Sequence, residues 1–198
     1  SLNLGLRENN FLGKGQKVKF DTSFSNTKTV YDISITEPYF NNKPLSLTSN
    51  LYSNFTDPSN VNYETEDLGF GLSTSFPLST DRYLELRYSL FTSKIKANSN
   101  ATAYENALAG TDTVSQLGYT LTFDRRNFRY KPSKGFNLKL SQDLAGLGGD
   151  SYYYRNSFEF NYYKRLSNKI IGAYKLQGGN INGYNDKYSP LSSNFKLG

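Results

Sequence analysis

Read from its first residue, the chain alternates. Leu2, Leu4 and Leu6 are separated by Asn3 and Gly5. Val18, Phe20 and Phe24 stand among Lys17, Lys19, Asp21 and Ser23, and Tyr31, Ile33 and Ile35 among Asp32, Ser34 and Thr36. The same period of two runs through 45–51, 68–76, 84–90, 117–123, 136–144, 152–162 and 170–176. Ten segments alternate in this way, and none sustains the spacing of an amphipathic helix. Successive side chains of a strand point to opposite faces, so each segment predicts a strand with one apolar and one wet face. The stretch ATAYENALAG (101–110) alone has helix-favouring composition and predicts a short surface helix in a loop.

Two architectures have that property. In a sandwich the apolar faces pair inside; in a transmembrane barrel they meet lipid, and the polar faces line a lumen. Three features favour the barrel. The alternating segments are long, about 10 residues or more, as a tilted membrane crossing requires. The polar positions mix Gly, Ser, Thr and Asn with charges of both signs, which suits a hydrated interior. Tyr39, Phe40, Tyr152, Tyr153, Tyr154, Tyr162 and Tyr163 gather near segment ends, as an interfacial girdle would.

The connections support the same reading. NNFLGKG (9–15), EPYFNNKP (37–44), FPLSTD (76–81), RRNFRYKPSKG (125–135) and KRLSNK (164–169) are compact, and four of the five carry Lys as the last or next-to-last residue. Between them lie 25–29, 56–66, 93–113, 145–151 and the tail from Gly178, of which two are long and polar. Antiparallel neighbours put alternate connections at opposite ends. Short turns at one end and long loops at the other is the outer-membrane pattern of periplasmic turns and extracellular loops. NNFLGKG is only superficially a phosphate loop: it lacks the following Ser/Thr and the strand-to-helix context. Gly13 and Gly15 are expected to serve a turn with positive φ.

Composition narrows the chemistry. The 198 residues include no His, Cys, Met or Trp, which excludes disulfides, thiol catalysis, His-metal sites and Ser-His triads. No catalytic constellation or cofactor site is legible, and the reading is of a protein that is not an enzyme. Apolar content is 36% and mean hydropathy −0.63, yet 17 Tyr and 14 Phe are far too many for a disordered chain. The chain opens directly into the periodic pattern, so 1–198 reads as an excerpt of a longer protein.

Net charge is +6, which permits an anionic partner without naming one. DRRNFRYKPSKG (124–135) concentrates Arg125, Arg126, Arg129, Lys131 and Lys134 around Phe128 and Tyr130. Basic residues interleaved with aromatics raise a nucleic-acid surface. The strands on either side place the stretch in a turn instead, where anionic headgroups or acidic periplasmic partners would meet the charge, and nucleic acid is not needed. The polar positions mark a second set, the lumen-lining candidates Asp21, Asp32, Glu85, Arg87, Asp124, Lys139, Asp143, Glu159 and Lys175. They read as a mixed-sign interior that holds the barrel's shape, with Glu85 and Arg87 placed to pair with each other or across strands.

Four stretches carry a family likeness in order and spacing: NNFLGKGQ after the first strand, ISITEPYF (33–40), GFGLSTSFPLS (69–79) and DRRNFRYKPSKGFNLKL (124–140). Together they resemble the barrel of the BamA family of outer-membrane protein assembly factors. The tail SPLSSNFKLG (189–198) resembles the start of that family's large sixth loop. TamA-like factors and two-partner secretion transporters share the architecture. The resemblance implies an all-β, antiparallel up-and-down transmembrane barrel, of which residues 1–198 form one partial domain: the second to eleventh of sixteen strands. It implies a bacterial outer membrane, no cofactor, and a job without bond chemistry, helping unfolded outer-membrane clients to insert. Outer-membrane lipids and periplasmic lipoprotein subunits are the further partners implied. A passive porin or adhesin is the alternative.

Overall fold

In the computed structural model, residues 1–184 are described. They form one ten-stranded antiparallel sheet in which every strand pairs with its neighbour in sequence. The strands are β1 (Leu2–Phe11), β2 (Gln16–Phe24), β3 (Lys28–Glu37), β4 (Ser46–Thr56) and β5 (Tyr63–Ser79). They continue as β6 (Arg82–Ala97), β7 (Gly110–Asp124), β8 (Gly135–Ala145), β9 (Tyr153–Arg165) and β10 (Ile171–Gly183). Among the described residues β1 pairs only with β2 and β10 only with β9, so the meander has two open edges. The expected fold class and strand count hold.

Register carries the alternation across the sheet. Leu6 faces Phe20, Phe20 faces Ile33, Ile33 faces Leu51, Leu51 faces Phe70 and Phe70 faces Leu90. One outer face is therefore continuous hydrocarbon, and its Leu6, Ile33, Leu51, Leu68 and Leu117 are all exposed. A soluble domain rarely leaves so large an apolar face uncovered. On β5 the apolar run from Leu68 to Phe76 covers eight residue steps, about 27 Å of strand, close to the apolar band of a membrane barrel. Beyond Leu68 the same face turns ionic: Lys96 Nζ lies 3.0 Å from Glu64 and 3.8 Å from Glu66. No described helix is long and apolar enough to cross a membrane, a fact that bears on helices alone.

The ends differ from the expected contrast of short and long connections. At one end the links are 12–15, 38–45, 80–81, 125–134 and 166–170; at the other they are 25–27, 57–62, 98–109 and 146–152. The two sets are of similar length. Much of the polar sequence in 56–66 and 93–113 is strand, because Glu64, Glu66 and Lys96 pair across β5 and β6 and prolong them to 17 and 16 residues. The asymmetry is thus in strand extension at the second end. The short helix α1 (Ala103–Leu108) forms in the loop where composition favours it. Thr102 caps it, and Glu105 returns a hydrogen bond to the Thr102 N–H, a reciprocal capping box. In the first turn Gly13 and Gly15 take φ of +73° and +72°, and their N–H groups are spent within the turn, on the Asn10 carbonyl at 2.9 Å and Asn10 Oδ1 at 2.7 Å.

Candidate functional site

The inner, polar face is organised around one rung that crosses four strands. Arg87 on β6 lies opposite Gly118 on β7, Gly118 opposite Asp143 on β8, and Asp143 opposite Arg155 on β9. Gly118 has no side chain to occupy its place, so Arg87 reaches over it. Its Nε and Nη2 donate to Asp143 Oδ1 at 2.9 and 2.7 Å. Arg155 closes from the other side, donating through Nε and Nη2 to Oδ2 at 3.1 and 2.8 Å. A Cβ on Gly118 would stand 2.0 Å from Asp143 Oδ1. Arg87 also donates to Thr120, which shares a 2.8 Å hydrogen bond with Ser141 on the next rung. Charge-assisted bonds of this kind fix strand spacing and register.

The sequence singles out Arg87 and Asp143 separately. The structure brings them together and does not form the Glu85–Arg87 pair. Arg155 and Gly118 go unnoticed in the sequence, although Arg155 sits at the polar parity of β9. All nine polar candidates fall on this one face by register, and seven of them form three groups, of which Arg87 with Asp143 is the first. Lys139 faces Glu159 across β8 and β9, with Lys175 on β10 opposite Asn161. Asp21 and Asp32 face each other across β2 and β3, and Lys19 pairs with Asp21. Asp124 ends β7 and belongs to the turn that follows. Glu85 lies between Ser75 and Thr120. Among the described residues no cluster of metal-ligating side chains forms.

The inner face is not wet throughout. Val114, Ala145 and Tyr153 are fully buried there, packed with Phe91 and Ile181. Tyr153 donates to Gln116 Oε1 at 2.6 Å. This corrects the aromatic girdle: Tyr153 points inward, as does Tyr163, which pairs with Gly135 at the polar parity. Tyr154 and Tyr162 do face outward and are exposed. The signal was available in the phase: Phe91, Val114 and Tyr153 occupy polar-parity positions of their strands.

The basic turn is partly self-neutralised. Arg126 grips Asp124 through Nε and Nη2 at 2.8 and 2.7 Å. Arg125 Nε donates to Asp81 at 2.7 Å across to the neighbouring turn, holding the Asp81 carboxyl below its ordinary range. Arg129 donates to the Tyr83 hydroxyl and lies 4.9 Å over its ring. Lys131 and Lys134 meet no carboxylate among the described residues. Arg129 Nε also lies 3.9 Å from Asp124 Oδ2, so two carboxylates at the strand ends serve three arginines and offset two of the five positive charges.

The open antiparallel meander, with hydrocarbon outside and ion pairs inside, has counterparts among known proteins. Residues 10–198 match the Omp85 superfamily domain. The chain belongs to the Omp85 superfamily. This Omp85 chain is 28% identical over 199 residues to a sorting and assembly machinery component 50 homolog of Mus musculus, and 27% to that of Homo sapiens. Each match covers the whole chain and 42% of the relative, so the chain spans about two fifths of these proteins. Outer membrane protein assembly factor BamA of Neorickettsia risticii is 25% identical over 207 residues, covering 98% of the chain and 27% of that protein. The crystal structure of BamA from Haemophilus ducreyi lacking POTRA domains 1–3 shares the fold at a TM-score of 0.86 and 22% identity, over 99% of this chain and 41% of that one. The expected likeness to BamA holds, and eukaryotic sorting and assembly proteins join it. The tail 189–198, read as the start of the sixth loop, lies outside the described residues.

Proposed function

We propose that this Omp85 chain contributes strands to the membrane barrel of a factor that folds and inserts other β-barrel proteins into an outer membrane. The uncovered hydrocarbon face of an antiparallel meander, in a fold shared with BamA, is the observation that carries the reading. The names of the relatives, sorting and assembly machinery and assembly factor, support the activity. A passive porin or a secretion transporter would use the same fold, and the relatives' names favour assembly over both.

The physical problem is the unpaired strand edge. In hydrocarbon each unsatisfied backbone group costs several kcal/mol. An inserting client therefore needs an edge to pair with until its own barrel closes, and an assembly barrel supplies one. The role of these ten strands is to hold the barrel in shape while that happens. Asp143, clamped by Arg87 and Arg155, and the facing Lys139 and Glu159 are the residues to which we assign that role. The 12–15 to 166–170 end is assigned to the periplasmic side, where periplasmic lipoprotein subunits would dock.

The bacterial outer membrane is the first reading of location. Identity to the Mus musculus relative, slightly above that to the bacterial one, favours the outer membrane of a eukaryotic organelle as the second. Fractionation of the source cells separates the two. The function is tested by placing the full-length protein in proteoliposomes and following the folding of an urea-denatured client barrel by its heat-modifiable gel mobility. Faster client folding than in empty vesicles is expected; equal rates would overturn the proposal.

A further inference from the structure

The turns at the 12–15 to 166–170 end share a makeup that none reveals alone. Leu12 stands 74% exposed beside Lys14, and Tyr39 and Phe40 project from the turn that holds Lys43. Tyr130, 81% exposed, projects with Phe128 beside Lys131 and Lys134. Leu166 and Ile170 project on either side of Lys169. In each of these four turns a protruding apolar side chain neighbours an exposed lysine. None of these five lysines pairs with a carboxylate among the described residues. The fifth turn, 80–81, differs: Asp81 is taken up by Arg125 and Arg82.

The opposite end carries more acids than bases, Lys28, Lys94 and Lys96 being its lysines. Asp57, Glu105 and Asp150 stand in its loops, and Glu64, Glu66 and Asp112 on the strand extensions beside them. The charge of the sheet is therefore polarised from end to end.

We propose that the lysine-bearing turns form a rim that binds the anionic headgroups of the phospholipid leaflet bordering that end of the barrel. The inference rests on the membrane reading above and names the lipid class it selects. A lysine can lay its methylenes along apolar surface and keep its ammonium at the phosphate level. The neighbouring Leu, Tyr or Phe then enters the acyl boundary, as interfacial anchors do. Turns 12–15 and 166–170 are separated by eight strand spacings, about 40 Å of sheet width. Lysines spread over four turns across that width match a leaflet better than an acidic protein, which would call for one contiguous patch.

The test uses the full-length protein reconstituted in phosphatidylcholine bilayers. Electron spin resonance then gives the association of spin-labelled phosphatidylglycerol relative to labelled phosphatidylcholine. We expect the anionic lipid to be favoured at least about three-fold at low salt. The preference should fall toward one in high salt, and also in K14Q/K43Q/K131Q/K134Q/K169Q. K28Q/K94Q, at the other end, should leave it unchanged. A relative association of one in the wild type overturns the inference, as does an equal drop in the K28Q/K94Q control. Binding of an acidic peptide without lipid preference would also overturn it, in favour of a protein partner. A protein that fails to enter bilayers refutes the membrane reading instead, so the two failures are distinct.

Discussion

Replacing Asp143 by Asn removes the one negative charge between two guanidiniums. Asp143 is 5% exposed, and its two oxygens receive four hydrogen bonds from Arg87 and Arg155. Removing one partner of a buried ion pair costs roughly 3–5 kcal/mol, because the remaining charge stays desolvated. Here the arginine side chains keep 21% and 29% exposure, so water recovers part of the loss. We expect about 3 kcal/mol for D143N. R155Q leaves Asp143 paired with Arg87 and should cost about 1 kcal/mol. R87Q also gives up Thr120 and should fall between them, at about 2 kcal/mol. The assay is urea unfolding of the full-length protein in phospholipid vesicles, followed by Tyr fluorescence and gel mobility. The D143N/R87Q double variant should cost less than the sum of its singles, since the residues share one network. A D143N loss under about 0.5 kcal/mol, or an R155Q loss exceeding it, would refute the reasoning and make the rung a screened surface pair.

Three further outcomes follow from the same geometry. G118A pushes a methyl to 2.0 Å from Asp143 Oδ1 and 2.8 Å from the Gln142 carbonyl, and should cost about 2 kcal/mol in the same urea assay. Adding D143A to G118A should then cost less than D143A does alone, because the clash partner is gone. Y153F loses the buried 2.6 Å bond to Gln116 and should cost about 1–2 kcal/mol, with unchanged gel mobility of the folded form. Glu105 accepts from the Thr102 and Asn62 amides, which holds its carboxyl down to about 2. A depressed carboxylate stabilises above its unfolded value, near 4.5, and loses that contribution as pH falls toward about 2. Amide exchange at Asn62 and Thr102, corrected for intrinsic rates, should stay flat from pH 7 to 5 and rise below it. In E105Q it should be faster at pH 7 and lose the pH dependence.

The fold was legible because a strand's period of two survives any context that leaves one face in hydrocarbon. Leu4, Ile33, Phe70 and Leu86 announce their strands alone, and consecutive hairpins are the simplest way to join them. The two ends were less legible. Glu64, Glu66 and Lys96 read as loop because they are charged, but ion pairs across β5 and β6 extend the ladder past the apolar band. The basic turn links β7 and β8, and one of its carboxylate partners is remote in sequence. Asp81 lies 44 positions from Arg125, and that separation hides the pairing until the hairpins stack.

The alternation along each strand is enough to give an all-β chain with one apolar face, and to put Arg87 and Asp143 on the other. Which polar residues meet is set by how the strands stack. Arg87 and Asp143 are 56 positions apart and become partners because Gly118 leaves a gap between them. Register across several strands sets that contact, and register is a property of the assembled sheet. The same holds for Tyr153, Val114 and Phe91. Each breaks its strand's polar phase alone, and only side by side do they form a buried cluster.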